Sequence, residues 1–173
     1  MHGSIRSYNN PKLLLKEKLL LERILGHKIM GTRQHYLNLE MPKTWQIHRL
    51  LGLKYDASFG YKKGIGYKEN LHFPFFPFKD SFMAIPLPLM DSFLISGRND
   101  YQTYYNKVMS IINEAEAQGG LLTVLWHQSS FNSIDFPHHK RIYCKLIEEC
   151  QKRNAWFGTC KEIYNHIYEG RKS

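Results

Sequence analysis

The sequence predicts an α/β protein whose parallel sheet is covered by helices. Three observations carry this expectation. Apolar segments of strand length alternate with segments of helical periodicity along the 173 residues. The strand segments are continuously apolar, which suits strands buried on both faces. Several of them end on a charged or imidazole side chain, the place where parallel strands hand over to functional loops. The length fits one domain, residues 1–173.

Taken in order, Asn10-Pro11 starts the first helix, with Asn as cap and Pro in the first turn. Leu13, Leu14, Leu20, Leu21, Ile24 and Leu25 then form one broad apolar stripe, and Gly26 closes the helix in the left-handed conformation. A short strand is expected over Lys28 to Thr32, a second helix over Lys43 to Leu51, and a strand over Leu53 to Ala57. Residues 60–98 are broken by Gly60, Gly64, Gly66 and four prolines, within HFPFFPF and AIPLPLMDSFLI. Extended segments and long loops are expected there. A helix runs from about Asn99, with Tyr101, Tyr104, Tyr105, Val108, Ile112 and Ala115 in the i, i+3, i+4 rhythm, and stops at Gly119-Gly120. Leu121 to Trp126 is the clearest strand. Pro137 opens a helix with Tyr143, Leu146, Ile147 and Cys150 on one face. A short strand over Ala155 to Gly158 and a helix over Lys161 to Tyr168 complete the chain.

Composition bounds the function. With 43% hydrophobic and 14% aromatic residues the chain can bury a core, which argues against disorder. No run reaches the ~18 apolar residues of a membrane span. Residues 1–30 lack a signal-peptide pattern, since Lys16, Glu17, Lys18, Glu22 and Arg23 interrupt the leucines. A cytoplasmic location is expected. The balance of 24 Lys+Arg against 15 Asp+Glu gives +9, which favours anionic partners. The basic residues form no dense run or stripe, so a specific nucleic-acid partner is not expected. Cys144, Cys150 and Cys160 are odd in number and form no CxxC; Cys144 and Cys150 are expected to be core thiols.

Four strand exits carry ionisable groups: His2 in MHGSIRSYNNP, Arg33 after KIMGT, Asp56 at the end of LKYD, and His127 at the end of LLTVLWH. They are expected to converge on one end of the sheet. Each alone has a structural reading: Arg33 as a surface ion pair, Asp56 as a turn cap, His127 as a hydrogen-bonded strand-end residue. HExxH, the phosphate-binding P-loop, GxGxxG and GxSxG are all absent. Ser129 and Ser130 are too close in sequence to His127 for a Ser–His pair to be expected. His138-His139 opens a helix, where neighbours point about 100° apart, so one shared metal is not expected.

The ordered pieces RQHYL, GLKYDASFGY, the Phe/Pro loop, IPLPLMDSFL and the LTVLWH strand make the chain resemble the polysaccharide deacetylase family, the NodB homology domain. The resemblance implies a distorted (β/α) barrel that hydrolyses N- or O-acetyl groups on carbohydrates, with acetylated polysaccharide or oligosaccharide as partner. It implies a divalent metal, zinc in the first instance, that polarises the acetyl carbonyl and activates water. Carried over by position, His127 is the general acid, Arg33 orients the base, and Asp56 tunes the catalytic histidine. The backbone N–H of Tyr36 faces the oxyanion, and His2 is a metal ligand. Phe73, Phe75, Phe76 and Trp126 are candidate substrate-binding aromatics, with Phe78 in the same loop.

Two departures set further expectations. Four residues after His2, where the family places its second metal histidine, stands Arg6; His35 is the candidate substitute, with Ser4 and Ser7 as alternatives nearby. The family's paired aspartates and first strands have no counterpart, so the chain looks like the carboxyl-terminal two-thirds of such a domain, an incomplete barrel. An exposed sheet edge and self-association through it are then expected. The alternative is a non-catalytic glycan-binding or partner-dependent module.

Overall fold

The computed structural model describes residues 1–93 and 100–171. Its strands are β1 (His2–Gly3), β2 (Gly31–Gln34), β3 (Tyr55–Gly60), β4 (Met83–Leu87), β5 (Leu89–Met90) and β6 (Val124–Leu125). Its helices are α1 (Pro11–Leu25), α2 (Lys43–Leu50), α3 (Tyr101–Gln118), α4 (His139–Lys152) and α5 (Cys160–Gly170). All ladders between them are parallel, in the order β1-β2-β3-β4 and, beyond Pro88, β5-β6. Among the described residues the sheet does not close, and β1 pairs on one side only. The α/β class with a parallel sheet is as expected, in the open form of an incomplete barrel.

The first helix keeps its bounds but not its expected face. Asn10 accepts from the Leu13 N–H and Gly26 closes the helix at φ 71°. The buried residues are Leu14, Lys18 and Glu22, while Leu20, Ile24 and Leu25 are exposed, Ile24 at 70%. Lys18 and Glu22 neutralise each other at 2.7 Å, one turn apart, and so can lie inward together. Glu22 also accepts the Ile29 N–H at 2.9 Å. That bond ties Ile29 to the helix end, so β2 starts at Gly31, three residues after the expected Lys28.

The third strand starts at Tyr55 rather than Leu53 and runs to Gly60, with an irregular register against β4 between Asp56 and Phe59. The loop to β4 brings in Phe75, whose main chain pairs with Ala84. Beneath it Trp45, Phe59, Phe82 and Ala84 form one core cluster. A second, of Ala57, Met83, Ile85 and Tyr164, is covered by α5. The third, of Leu89, Tyr104, Val108, Ile112, Ile142 and Leu146, joins β5 to α3 and α4.

The last part of the chain departs most from expectation. The strand expected over Leu121 to Trp126 shrinks to Val124–Leu125. The segment that leads into its neighbour β5 contains Pro86 and Pro88, which have no N–H to donate to a ladder. The chain substitutes other bonds: Leu121 N–H donates to the His72 carbonyl at 2.8 Å, Tyr67 Oη–H to the Leu121 carbonyl at 3.1 Å, and the Thr123 hydroxyl to the Pro86 carbonyl. No strand forms over 155–158; Ala155 N–H instead closes α4 on the Cys150 carbonyl, and Trp156 and Phe157 are exposed. Helix α4 starts at His139, two residues after Pro137. Cys150 is half-buried as expected for a core thiol, but Cys144 is exposed. The expected helix start at Asn99 lies outside the described residues, and α3 is capped by Asp100, which accepts from Thr103 N–H at 2.8 Å. Thr159 and Glu162 make a reciprocal capping box that starts α5 one residue before the expected Lys161.

Candidate active site

Two adjacent parallel strands, β5 and β6, deliver the clearest constellation at their carboxyl ends. Asp91 directly follows β5 and is fully buried. Its Oδ1 lies 2.6 Å from Nδ1 of His127, and its Oδ2 accepts the His127 main-chain N–H at 2.7 Å. The Ser130 hydroxyl donates to the same Oδ2. A buried carboxylate is costly without donors, and here three supply the bonds. A carboxylate can only accept, so Nδ1 of His127 carries a proton. That leaves Nε2 as the ring nitrogen open to proton exchange, on a side chain 50% exposed. The main chain turns at His127 into a tight helical turn over Gln128–Phe131, which brings Ser130 back beneath Asp91.

Asp56, expected to tune His127, has another partner. It accepts the Ser58 N–H and the Ser58 hydroxyl, both at 2.9 Å, and is fully buried. Its remaining neighbour is His48 of α2, with Nδ1 at 3.4 Å from Oδ2. Gln34 Nε2 donates to His48 Nε2 at 2.8 Å, which leaves the His48 proton on Nδ1, toward Asp56. Burial holds His48 below the ordinary histidine range despite that carboxylate. The carboxylate bonded to His127 is thus Asp91. It was legible by the same rule that singled out Asp56, because it ends the apolar run IPLPLM. Ser130 likewise serves Asp91 and makes no pair with His127.

The other strand ends gather at β1 and β2, where His2 and Arg33 are in register. His2 Nδ1 lies 2.9 Å from the Arg33 carbonyl, which can only accept, so its proton is on Nδ1. The His2 Nε2 lone pair then meets Nδ1 of His35 at 2.9 Å, and His35 donates. The pairing of His2 with His35, expected from sequence, therefore places two imidazoles side by side. Among the described residues no group of three or more His, Cys, Asp or Glu is arranged to hold a metal. Two nitrogen donors are half of a tetrahedral zinc site, so these residues alone do not fit the metal. Arg33 is turned inward, with Nε donating to the Ala57 carbonyl at 2.9 Å, and burial lowers its guanidinium from the ordinary arginine value. Tyr36 has φ 54°, a left-handed backbone that costs energy for a non-glycine residue and clusters at functional sites. Its ring is 68% exposed and meets His35 edge-on.

The aromatic candidates divide. Phe73 is 54% exposed. Phe75 packs against Trp45 and Phe59, Phe76 against the α5-covered cluster and Arg171, and Phe78 against Phe82 and Arg49. Trp126 turns into the α3–α4 cluster, beside His139 and Tyr143. Phe75, Phe76, Phe78 and Trp126 are thus partly buried and packed against neighbouring side chains, while Phe73 faces out.

Parallel strands joined by helices, with acid, imidazole and guanidinium groups at their carboxyl ends, define an α/β fold of the barrel-forming kind. Among solved structures this is the fold of the polysaccharide deacetylases. A putative polysaccharide deacetylase from Mycobacterium smegmatis aligns with 98% of this chain at TM-score 0.67 and 16% identity. A probable polysaccharide deacetylase from Pseudomonas aeruginosa PAO1 aligns with 97% at 0.65 and 14%, and Puue allantoinase with 96% at 0.65 and 17%. The chain spans 62%, 56% and 55% of those three chains respectively. No family model and no curated protein sequence matches it. No helix among the described residues is long and apolar enough to cross a membrane.

Proposed function

We propose that this chain is a carbohydrate deacetylase-type hydrolase domain acting on N- or O-acetyl groups of a polysaccharide or oligosaccharide. The observation that carries the reading is the Asp91–His127 pair at the carboxyl ends of β5 and β6, in a fold shared with polysaccharide deacetylases. In such a hydrolysis His127 acts as the imidazolium, with a second proton on Nε2, and hands that proton to the departing amine or alcohol as its bond to the acetyl carbon breaks. Asp91 keeps the ring oriented and its Nδ1 protonated throughout. The main-chain N–H of Tyr36 is the oxyanion donor in this reading, and Arg33 the group that orients a base. Both described carboxylates near these strand ends, Asp56 and Asp91, are engaged by donors, so the described residues supply the acid half of the reaction. A divalent metal, zinc in the first instance, would supply carbonyl polarisation; the described residues offer it the ring nitrogens of His2 and His35, and binding by these two alone is expected to be weak.

The test is acetate release from acetylated chito-oligosaccharides with and without added zinc, comparing the chain with His127→Asn. Zinc titration followed by calorimetry, repeated on His2→Ala and His35→Ala, checks the metal separately. No release under any metal condition sinks the catalytic reading. A second reading, a non-catalytic glycan-binding module, draws on the two-nitrogen metal set and on exposed Phe73. It predicts saturable oligosaccharide binding without turnover, weakened by Phe73→Ala.

A further inference from the structure

Behind Asp91 stands a third ionisable group that the mechanism above does not use. His139, the first residue of α4, is 4% exposed. Its ring is packed by Trp126, just after β6, at 6.0 Å between centroids, by Tyr104 from α3 at 5.7 Å, and by Phe136 at 5.1 Å. Neither ring nitrogen meets a hydrogen-bond partner among the described residues, and neither does the buried indole N–H of Trp126, the residue just before His127. Unsatisfied nitrogens are uncommon in close-packed interiors, and these three sit where α4, β6 and the Asp91 turn meet.

The titratable groups that face His139 are Asp91, from the turn after β5, Tyr104, from α3, and His138, on its own helix. Trp126 and Phe136 bring no charge. The Asp91 carbonyl lies toward the ring without meeting either nitrogen at hydrogen-bond geometry. Burial holds His139 below the ordinary histidine range, and His138 adds to this, while Asp91 pulls the other way. The positive end of α4 also opposes a cation at its first residue. At neutral pH the ring is therefore uncharged, with one N–H to direct at Asp91.

We infer that His139 is a positioning residue for the Asp91–His127 pair, supporting the Asp91 turn while neutral and loosening the pair when protonated. The loosening follows from charge. An imidazolium buried beside Asp91 competes with His127 for the one carboxylate between them. The functional meaning rests on the reading of His127 as the proton donor, but the coupling is a property of the packed residues.

The experiment is histidine-selective 15N NMR on the intact chain, following the His127 Nδ1 proton bonded to Asp91 between pH 7.5 and 4.5. In the native chain the signal is expected to hold through the ordinary histidine value of about 6.5 and to weaken on its acid side, as His139, held below that value by burial, takes up a proton. In His139→Gln, which keeps an N–H donor but cannot titrate, the signal persists to the lowest pH. In His139→Phe, which keeps the bulk and loses the N–H, it is broadened throughout. Identical pH courses in the native chain and His139→Gln overturn the inference, whatever the melting temperatures do. Should His139→Phe not fold, the native-to-Gln comparison still decides. Absence of acetate release with the coupling intact would defeat the deacetylase reading and leave this one standing.

Discussion

Replacing Asp91 by Asn tests the site at its most buried point. The carboxylate accepts three bonds, two from His127 and one from Ser130, and is fully buried. An amide keeps one acceptor oxygen. Placed at the Oδ2 position it still serves the His127 main chain and Ser130, and the NH2 then faces His127 Nδ1. The ring can accept from that NH2 only by moving its own proton to Nε2. A charge-assisted bond is lost and a neutral one gained, and the two remaining bonds lose their ionic partner. A hydrogen bond to a charged group is worth about 1.5–3 kcal/mol, which sets the scale of the loss. For a chain of this size each kcal/mol shifts Tm by about 2–4 °C. Asp91→Asn is therefore expected to melt roughly 3–12 °C lower, read by circular dichroism, with His127 protonated on Nε2, read by 15N chemical shifts. An unchanged Tm together with a proton still on Nδ1 would refute the reasoning, because neither bond count nor tautomer would then depend on the carboxylate.

Four further outcomes follow from the same structure. Ser130→Ala removes one donor to Asp91 and is expected to cost about 1 kcal/mol in urea denaturation, with the His127 tautomer unchanged. The Lys18 ammonium at 2.7 Å and the Ile29 N–H hold the Glu22 carboxyl down to about 2. Its folded value is depressed, so its stabilisation is full above the ordinary value of about 4.3 and is lost as pH falls toward 2. Urea midpoints between pH 6 and 2.5 should fall more steeply for the native chain than for Glu22→Gln. His48 is depressed by burial, so its contribution is full above about 6.5 and fades as pH falls; His48→Gln should flatten the stability profile on the acid side of that value. A Cβ at Gly31 would lie 1.9 Å from the Tyr55 ring, so Gly31→Ala is expected to destabilise by about 1–3 kcal/mol, and adding Tyr55→Leu should recover part of the loss in thermal melts.

Local chemistry made much of this legible. Asn10-Pro11 and Gly26 bounded α1 as read, and His127 and Arg33 stand at or near strand ends as expected. Strand neighbourhood is tertiary information, and there the reading failed. Asp56 and Asp91 both end apolar runs, and only the pairing of β6 with β5 brings Asp91 to His127. The phase of α1 was misread for a related reason. Its leucines cover most of the helix circumference, so the broad stripe read from the pattern did not fix the inward face, and the buried Lys18–Glu22 pair hid that direction behind two charged letters. The Phe/Pro loop read as one surface because composition does not separate Phe73, which faces out, from Phe75 and its neighbours, which close over Trp45 and Phe59.

The sheet break at Pro88 gives the Asp91–His127 pair a second meaning. With ladders only two residues long on β5 and β6, the bond from the His127 main chain to the Asp91 carboxylate continues the strand pairing one step further. A side chain stands in for a backbone acceptor where the prolines have thinned the ladder. Selection on folding alone would therefore retain Asp91, whose carboxylate this bond needs, but not the imidazole, because almost any residue at 127 brings the same N–H. In comparing descendants of this chain, persistence of Asp91 alone would record the upkeep of a sheet, and persistence of the imidazole beside it would record a demand beyond folding.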